Sequence, residues 1–194
     1  MEEKNGRTTE NRRICWVITG AGHFLLESIQ VLSSLRSVDV YLSRAASEVA
    51  ARYSVLKDLK ALAANPGKGE GRSGGIGLFF ETDYSASPIV FFSSGRYRAL
   101  VIAPATANTV AKCALGIADS LASNCFAQAN KSRRPIVILP TDTESHVLSR
   151  APSGRAIDIY PRSIDLEHAK RLKTFPSVSV LQSPDELFAA ARSL

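Results

Sequence analysis

The chain is poor in the residues that build covalent or metal-stapled folds. Its 194 residues include three cysteines and three histidines. Cys15, Cys113 and Cys125 form no CxxC pair and keep no ligand spacing with histidine. That pattern excludes a disulfide scaffold and a zinc site, and it fits a reducing cytoplasm. Each cysteine stands in an apolar or helical context, where a buried filler is the expected role. No apolar run approaches the roughly 20 residues needed to span a bilayer, so no membrane role is expected. The opening MEEKNGRTTENRR has no apolar h-region and reads as a disordered tail over residues 1–12 rather than a secretory signal. The formal charge is +6, yet the basic residues are scattered and no zinc-finger or RNP-type pattern accompanies them. Nucleic acid is therefore not the expected partner.

What is present is ordinary globular material, 45% hydrophobic and 22% charged, long enough for one domain over residues 13–194. Strand and helix signals alternate along it. Apolar runs at 13–19, 38–43, 99–103 and 135–139 read as buried strands, with weaker strands at 76–81 and 178–181. Helices are expected after the first Gly-rich turn to about Arg36, over 44–64 with a break near Tyr53, and at 89–94, 164–174 and 184–192. Ser183 with Glu186 three residues on marks the last helix start. Residues 65–75, rich in Gly and charge, read as a mobile loop, whether a lid or simple disorder. Near-continuous apolar strands between helices predict a parallel sheet covered on both faces. The expected fold is a three-layer α/β/α domain, doubly wound, Rossmann-like or flavodoxin-like.

In such sheets ligands bind where loops leave the carboxyl ends of the strands. That rule brings together Thr19-Gly20-Ala21-Gly22-His23, Ser43-Arg44-Ala45 and Pro104-Ala105-Thr106-Ala107-Asn108-Thr109, with Pro140–Thr143 close by. The first loop begins like a dinucleotide fingerprint but lacks two of its parts. The third glycine position holds Leu25, and Ser43 and Arg44 stand where an acid would grip an adenosine ribose. A Gly-x-Gly turn by itself is equally consistent with a plain tight turn. Beside Ser43 and Arg44 it favours a phosphate or mononucleotide, since hydroxyl and guanidinium both donate to phosphate oxygens. In the third loop Asn108 or Thr109 is expected to cap a helix beginning near Val110. The helix start leaves backbone N–H groups free for an anion or carbonyl. Trp16 and Tyr41 read as core.

The stretch APATANTVAKCALGIADSLASN, Ala103 to Asn124, resembles the PASANTxAKxxxGxADxL signature of the homo-oligomeric flavin-containing cysteine decarboxylase superfamily. That superfamily includes cysteine decarboxylases, flavin prenyltransferases, archaeal flavoproteins and flavin-dependent dihydromethanopterin reductases. The resemblance implies a Rossmann-like fold, an FMN cofactor, and a flavin held between subunits of a trimer. It places Thr19, Gly20, Ala21, Gly22 and Ser43 near the phosphate and ribityl chain. Ala105, Thr106, Ala107, Asn108 and Thr109 would approach the flavin, in part across a subunit boundary.

Two departures narrow the activity. The decarboxylases carry an active-site His where this chain has Tyr84-Ser85-Ala86-Ser87-Pro88-Ile89, and a Pro-x-Met-Asn motif where it has Pro140-Thr141-Asp142-Thr143. The resemblance therefore points to the reductive branch, and most specifically to an FMN-dependent dihydromethanopterin reductase supplied with electrons by NAD(P)H or a ferredoxin- or flavodoxin-like donor. An FMN electron carrier without its own substrate, or a decarboxylase with altered acid/base residues, are the alternatives. Asp142 is the candidate for orienting or protonating a pterin, or else caps a turn. His23 and His146 read as surface or capping groups.

Overall fold

The computed structural model describes residues 12–64, 74–81 and 87–194. All of the expected tail but Arg12, and all of the expected loop but residues 74–75, lie outside these. So do Tyr84, Ser85 and Ala86.

Six parallel strands form the central sheet: β1 (Arg13–Ile18), β2 (Val38–Leu42), β3 (Ile76–Phe80), β4 (Tyr97–Ala105), β5 (Ile136–Pro140) and, after an intervening hairpin, β8 (Val178–Val180). Their order is β3-β2-β1-β4-β5-β8, the doubly wound Rossmann order. The strands are Val/Ile/Leu-rich because helices cover both faces. β1 shows how one strand serves two cores: Ile14, Trp16 and Ile18 pack into one, Cys15 and Val17 into the other. The first core takes in Leu25, Ile29 and Leu32 of α1 (Leu25–Ser33), Ala46 and Ala50 of α2 (Arg44–Arg52), and Leu59 of α3 (Leu56–Ala64). It also takes Leu187 and Ala191 of α8 (Pro184–Ser193). The second is closed by α4 (Ser87–Ser93), α5 (Ala107–Leu115), α6 (Leu121–Lys131) and α7 (Ser163–Leu172) through Phe92, Val110, Cys125 and Leu172.

Three differences from the sequence reading have local causes. β4 does not stop before Pro104 but runs through it to Ala105, with a register shift against β5 between Ile102 and Ala105. That irregularity turns the Ala103 carbonyl out of the ladder, where the buried Trp16 indole donates to it at 2.9 Å. Trp16 is core, as expected, and also carries this polar contact. Next, α5 begins at Ala107 rather than near Val110, because Thr106 is its N-cap and accepts from Thr109 N. Gly116 ends it at φ 76, and Ser120 opens α6 with a reciprocal Ser120–Ser123 capping box. Finally, an antiparallel hairpin unassigned from sequence, β6 (Val147–Arg150) and β7 (Ala156–Ile159), projects between β5 and α7.

A buried acid ties the sheet together away from its ligand-binding end. Asp39, the second residue of β2 and 1% exposed, accepts from Arg13 Nε at 2.7 Å, Arg96 Nη2 at 2.9 Å and Tyr97 Oη at 2.9 Å. Tyr41 and Tyr97 hydroxyls share a hydrogen bond of 2.7 Å. Gly77 faces Asp39 in register on β3, and a Cβ there would come within 2.7 Å of Asp39 Oδ1.

Candidate functional site

β1 and β4 are neighbours whose following helices leave on opposite faces, so a crevice opens at their carboxyl ends. One hydroxyl fixes its floor. Thr19, just past β1, donates through Oγ1 to the Pro104 carbonyl at 2.8 Å and accepts from Thr106 N at 2.9 Å. Its own amide also donates to Pro104 O, at 3.2 Å. The first and third loops are thus pinned to each other. Ser43 N donates to Ile18 O, which ties the second loop to the same floor.

The loops enclose a cavity of about 500 Å³, within the usual range for a small-ligand site. Of the residues expected from sequence, Thr19, Gly20, Ser43, Arg44, Thr106, Asn108 and Thr109 line it. The others stand apart from its wall. Pro104 and Ala105 belong to β4; Ala105 is fully buried and gives its carbonyl to Thr141 N, as Pro104 gives its own to Thr19. Ala107 opens α5 beside the wall. Ala21 is buried, and Gly22 packs against Tyr53 so closely that a Cβ would strike the Tyr53 hydroxyl. Gly20 is needed for the same kind of reason, since a Cβ there would come within 2.5 Å of the Ala45 Cβ.

Three helix N-termini converge on the cavity: Arg44 and Ala45 begin α2, Asn108 lies in the first turn of α5, and Leu121 and Ala122 begin α6. Each helix is capped by its own hydroxyl residue: Ser43 accepts from Ala46 N, Thr106 from Thr109 N, and Ser120 from Ser123 N. Such starts leave first-turn N–H groups pointing outward under a positive partial charge. The arrangement suits a phosphate, held by amides and hydroxyls more than by cations. Sequence reasoning missed the α6 end of the site and two acids in the wall, Glu48 and Glu81. Glu81 follows β3, and its Oε2 accepts from Arg44 N at 2.7 Å. The signal available in sequence was positional only: Glu81 ends a strand two places from β1 in a doubly wound order.

Asp142 follows β5 and does not line the cavity. Its Oδ2 accepts from Thr141 Oγ1 at 2.9 Å, and its charge reaches His23 and Arg162. His23, packed on Phe24 with ring centroids 3.8 Å apart, has its pKa lowered by burial, against the opposing pull of Glu27 and Asp142. Burial thus favours its neutral form. His146 lies on the hairpin, paired with Asp158 at 2.7 Å on an exposed face. All three cysteines are free and buried; burial pushes Cys15 well up and Cys113 up to about 12, so neither is a nucleophile. Among the described residues no cluster of His, Cys, Asp or Glu is placed to hold a metal, and no helix is long and apolar enough to cross a membrane.

The profile of a family described as Flavoprotein matches residues 2–193. A dihydromethanopterin reductase (acceptor) of Methanosarcina mazei is 39% identical over 173 residues, which cover 85% of this chain and 66% of that protein. A dihydromethanopterin reductase (acceptor) of Methanocaldococcus jannaschii is 37% identical over 151 residues, covering 75% and 59%. The chain thus spans less than two thirds of each of these relatives, 66% of one and 59% of the other. Burkholderia xenovorans DmrB, crystallised in complex with FMN and described as a cubic protein cage for redox transfer, superposes with a TM-score of 0.80. It is 35% identical, with 96% of both chains covered.

Proposed function

Because this chain belongs to the Flavoprotein family, we propose that it is an FMN-dependent reductase of a pterin-type acceptor, turning dihydromethanopterin into tetrahydromethanopterin in one-carbon metabolism. The observation that carries the FMN assignment is the cavity at the β1/β4 crossover, walled by three helix N-termini and by Gly20, where a Cβ would press into Ala45. Similarity to two dihydromethanopterin reductases and to an FMN-bound relative supports the rest.

Ser43, Thr106 and Thr109 would hold the phosphate with the first-turn amides of α2, α5 and α6, and Gly20 lets the backbone come close to the ligand. Arg44 supplies the one guanidinium among the described residues of the wall. Bound FMN supplies the redox chemistry, leaving the protein to position the acceptor and exclude competing reactions. Asp142 would orient or protonate the pterin, a carboxylate being matched to its guanidine-like edge. Electrons would come from NAD(P)H or a ferredoxin- or flavodoxin-like protein, in a cytoplasmic homo-oligomer built from trimers with the flavin at a subunit boundary.

The test is direct. The purified protein is loaded with FMN, reduced anaerobically and mixed with dihydromethanopterin while the flavin spectrum is followed. Stoichiometric reoxidation is expected. A protein that takes up no FMN defeats the cofactor assignment. One that takes it up but is reoxidised only by protein acceptors is an electron carrier instead.

A further inference from the structure

A wall suited to an anion carries an anion of its own. Glu81 reaches the first-turn amides of two helices at once, accepting from Arg44 N at 2.7 Å and from Leu121 N at 3.4 Å. Ser43 and Ser120 hold the third-residue amides, so Glu81 takes up the first-residue amides that a bound anion would otherwise meet. With Glu48 also in the wall and Arg44 as its one cation, the described lining side chains sum to a net negative charge. A site that binds phosphate through amides alone gains nothing from such an acid. The carboxylate takes up helix-end dipole that a phosphate would otherwise use.

We propose that Glu81 is a built-in competitor for the cofactor phosphate, which holds the first-turn amides of α2 and α6 and yields them when a phosphate binds. This rests on the FMN assignment of the cavity. One amide N–H cannot serve a carboxylate and a phosphate fully at the same time, and two anions side by side in a partly enclosed cavity repel. The charge of Glu81 therefore sets how strongly the cavity prefers a phosphorylated flavin to an unphosphorylated one. Gln at this position keeps the length and an acceptor oxygen while removing the charge.

Flavin fluorescence titration of the wild type and Glu81→Gln with FMN and with riboflavin reads the effect. FMN binding is expected to tighten at least tenfold in the variant, with riboflavin changed less than twofold. FMN affinity that is unchanged or weakened relative to riboflavin overturns the proposal. If neither protein binds FMN, thermal unfolding in inorganic phosphate decides. A larger rise in Tm for Glu81→Gln than for the wild type sustains the role of Glu81 while the FMN assignment falls, and equal rises overturn both. If the variant fails to fold, a crystal structure of the wild type with FMN decides. A phosphate oxygen on Arg44 N with Glu81 released supports the proposal, and Glu81 still bonded to both amides refutes it.

Discussion

Replacing Asp39 with Ala tests the buried anchor of the sheet. Three donors lose their acceptor, but not equally. The Arg13 side chain is 16% exposed and keeps the carbonyls of Val38 and Gly75, each at 2.7 Å. Arg96 is 40% exposed and recovers water, so its share falls to the level of a surface pair, about 0–1 kcal/mol. Tyr97 keeps its hydrogen bond to Tyr41. The main loss is the charge-assisted bond from Arg13, about 1.5–3 kcal/mol by itself, together with the space left beside Gly77. The sum is about 3 kcal/mol, well short of three full charged hydrogen bonds. At roughly 2–4 °C per kcal/mol for a domain of this size, Tm should fall by about 6–12 °C. Equilibrium urea unfolding should show a lower midpoint with an unchanged m-value. A loss under about 1 kcal/mol would refute the reasoning, because it would mean the two guanidinium groups are satisfied without the carboxylate.

Thr19→Val keeps the shape of the side chain but leaves Thr106 N without its acceptor; a loss of about 1–2 kcal/mol in urea unfolding and roughly tenfold weaker FMN binding are expected. Gly22→Ala drives a methyl into the Tyr53 hydroxyl, which donates to Arg150 O at 2.6 Å. The hairpin should then be cut faster in limited proteolysis, with the sheet core unaffected. Arg162 hydrogen bonds hold the Asp165 carboxyl below its usual range. The stability this supplies is complete above about pH 4 and is lost as pH falls through the lowered native value. Asp165→Asn should therefore flatten the acid limb of a Tm–pH curve and leave neutral pH little changed in slope. The buried thiols, with Cys15 and Cys113 raised by burial, should resist iodoacetamide at pH 7.5 and react fully in urea.

The parts of this fold that could be read from sequence are those whose burial is uniform. β2 and β5 are buried throughout and β1 everywhere but Arg13, and apart from Arg13 and Asp39 their residues are apolar or aromatic; their alternation with helices announces a parallel sheet and hence the crevice. The start of α5 was misplaced because Thr106, Asn108 and Thr109 are all competent caps within four residues, and tertiary bonds to Thr19 decide among them. The β6–β7 hairpin has one buried residue, Ser149, in its two strands, so it offers no alternation to detect. Asp39 meets partners 26 and 57 residues away, and nothing local in VDVYL marks it as an anchor. Glu81 was invisible for a related reason. Its role comes from two helix ends that only the folded sheet order brings beside β3.

The opposition of Gly77 and Asp39 constrains how sequences of this kind can change. Any side chain at 77 collides with the carboxylate, so its cost depends on what occupies 39. A lineage that first replaced Asp39 with a small residue would leave alanine at 77 only the Phe79 ring, 2.8 Å from the added methyl, to push aside. One that tried alanine at 77 first would meet the full clash. The order of substitution, and not only the final pair, thus decides which relatives are reachable through folded intermediates.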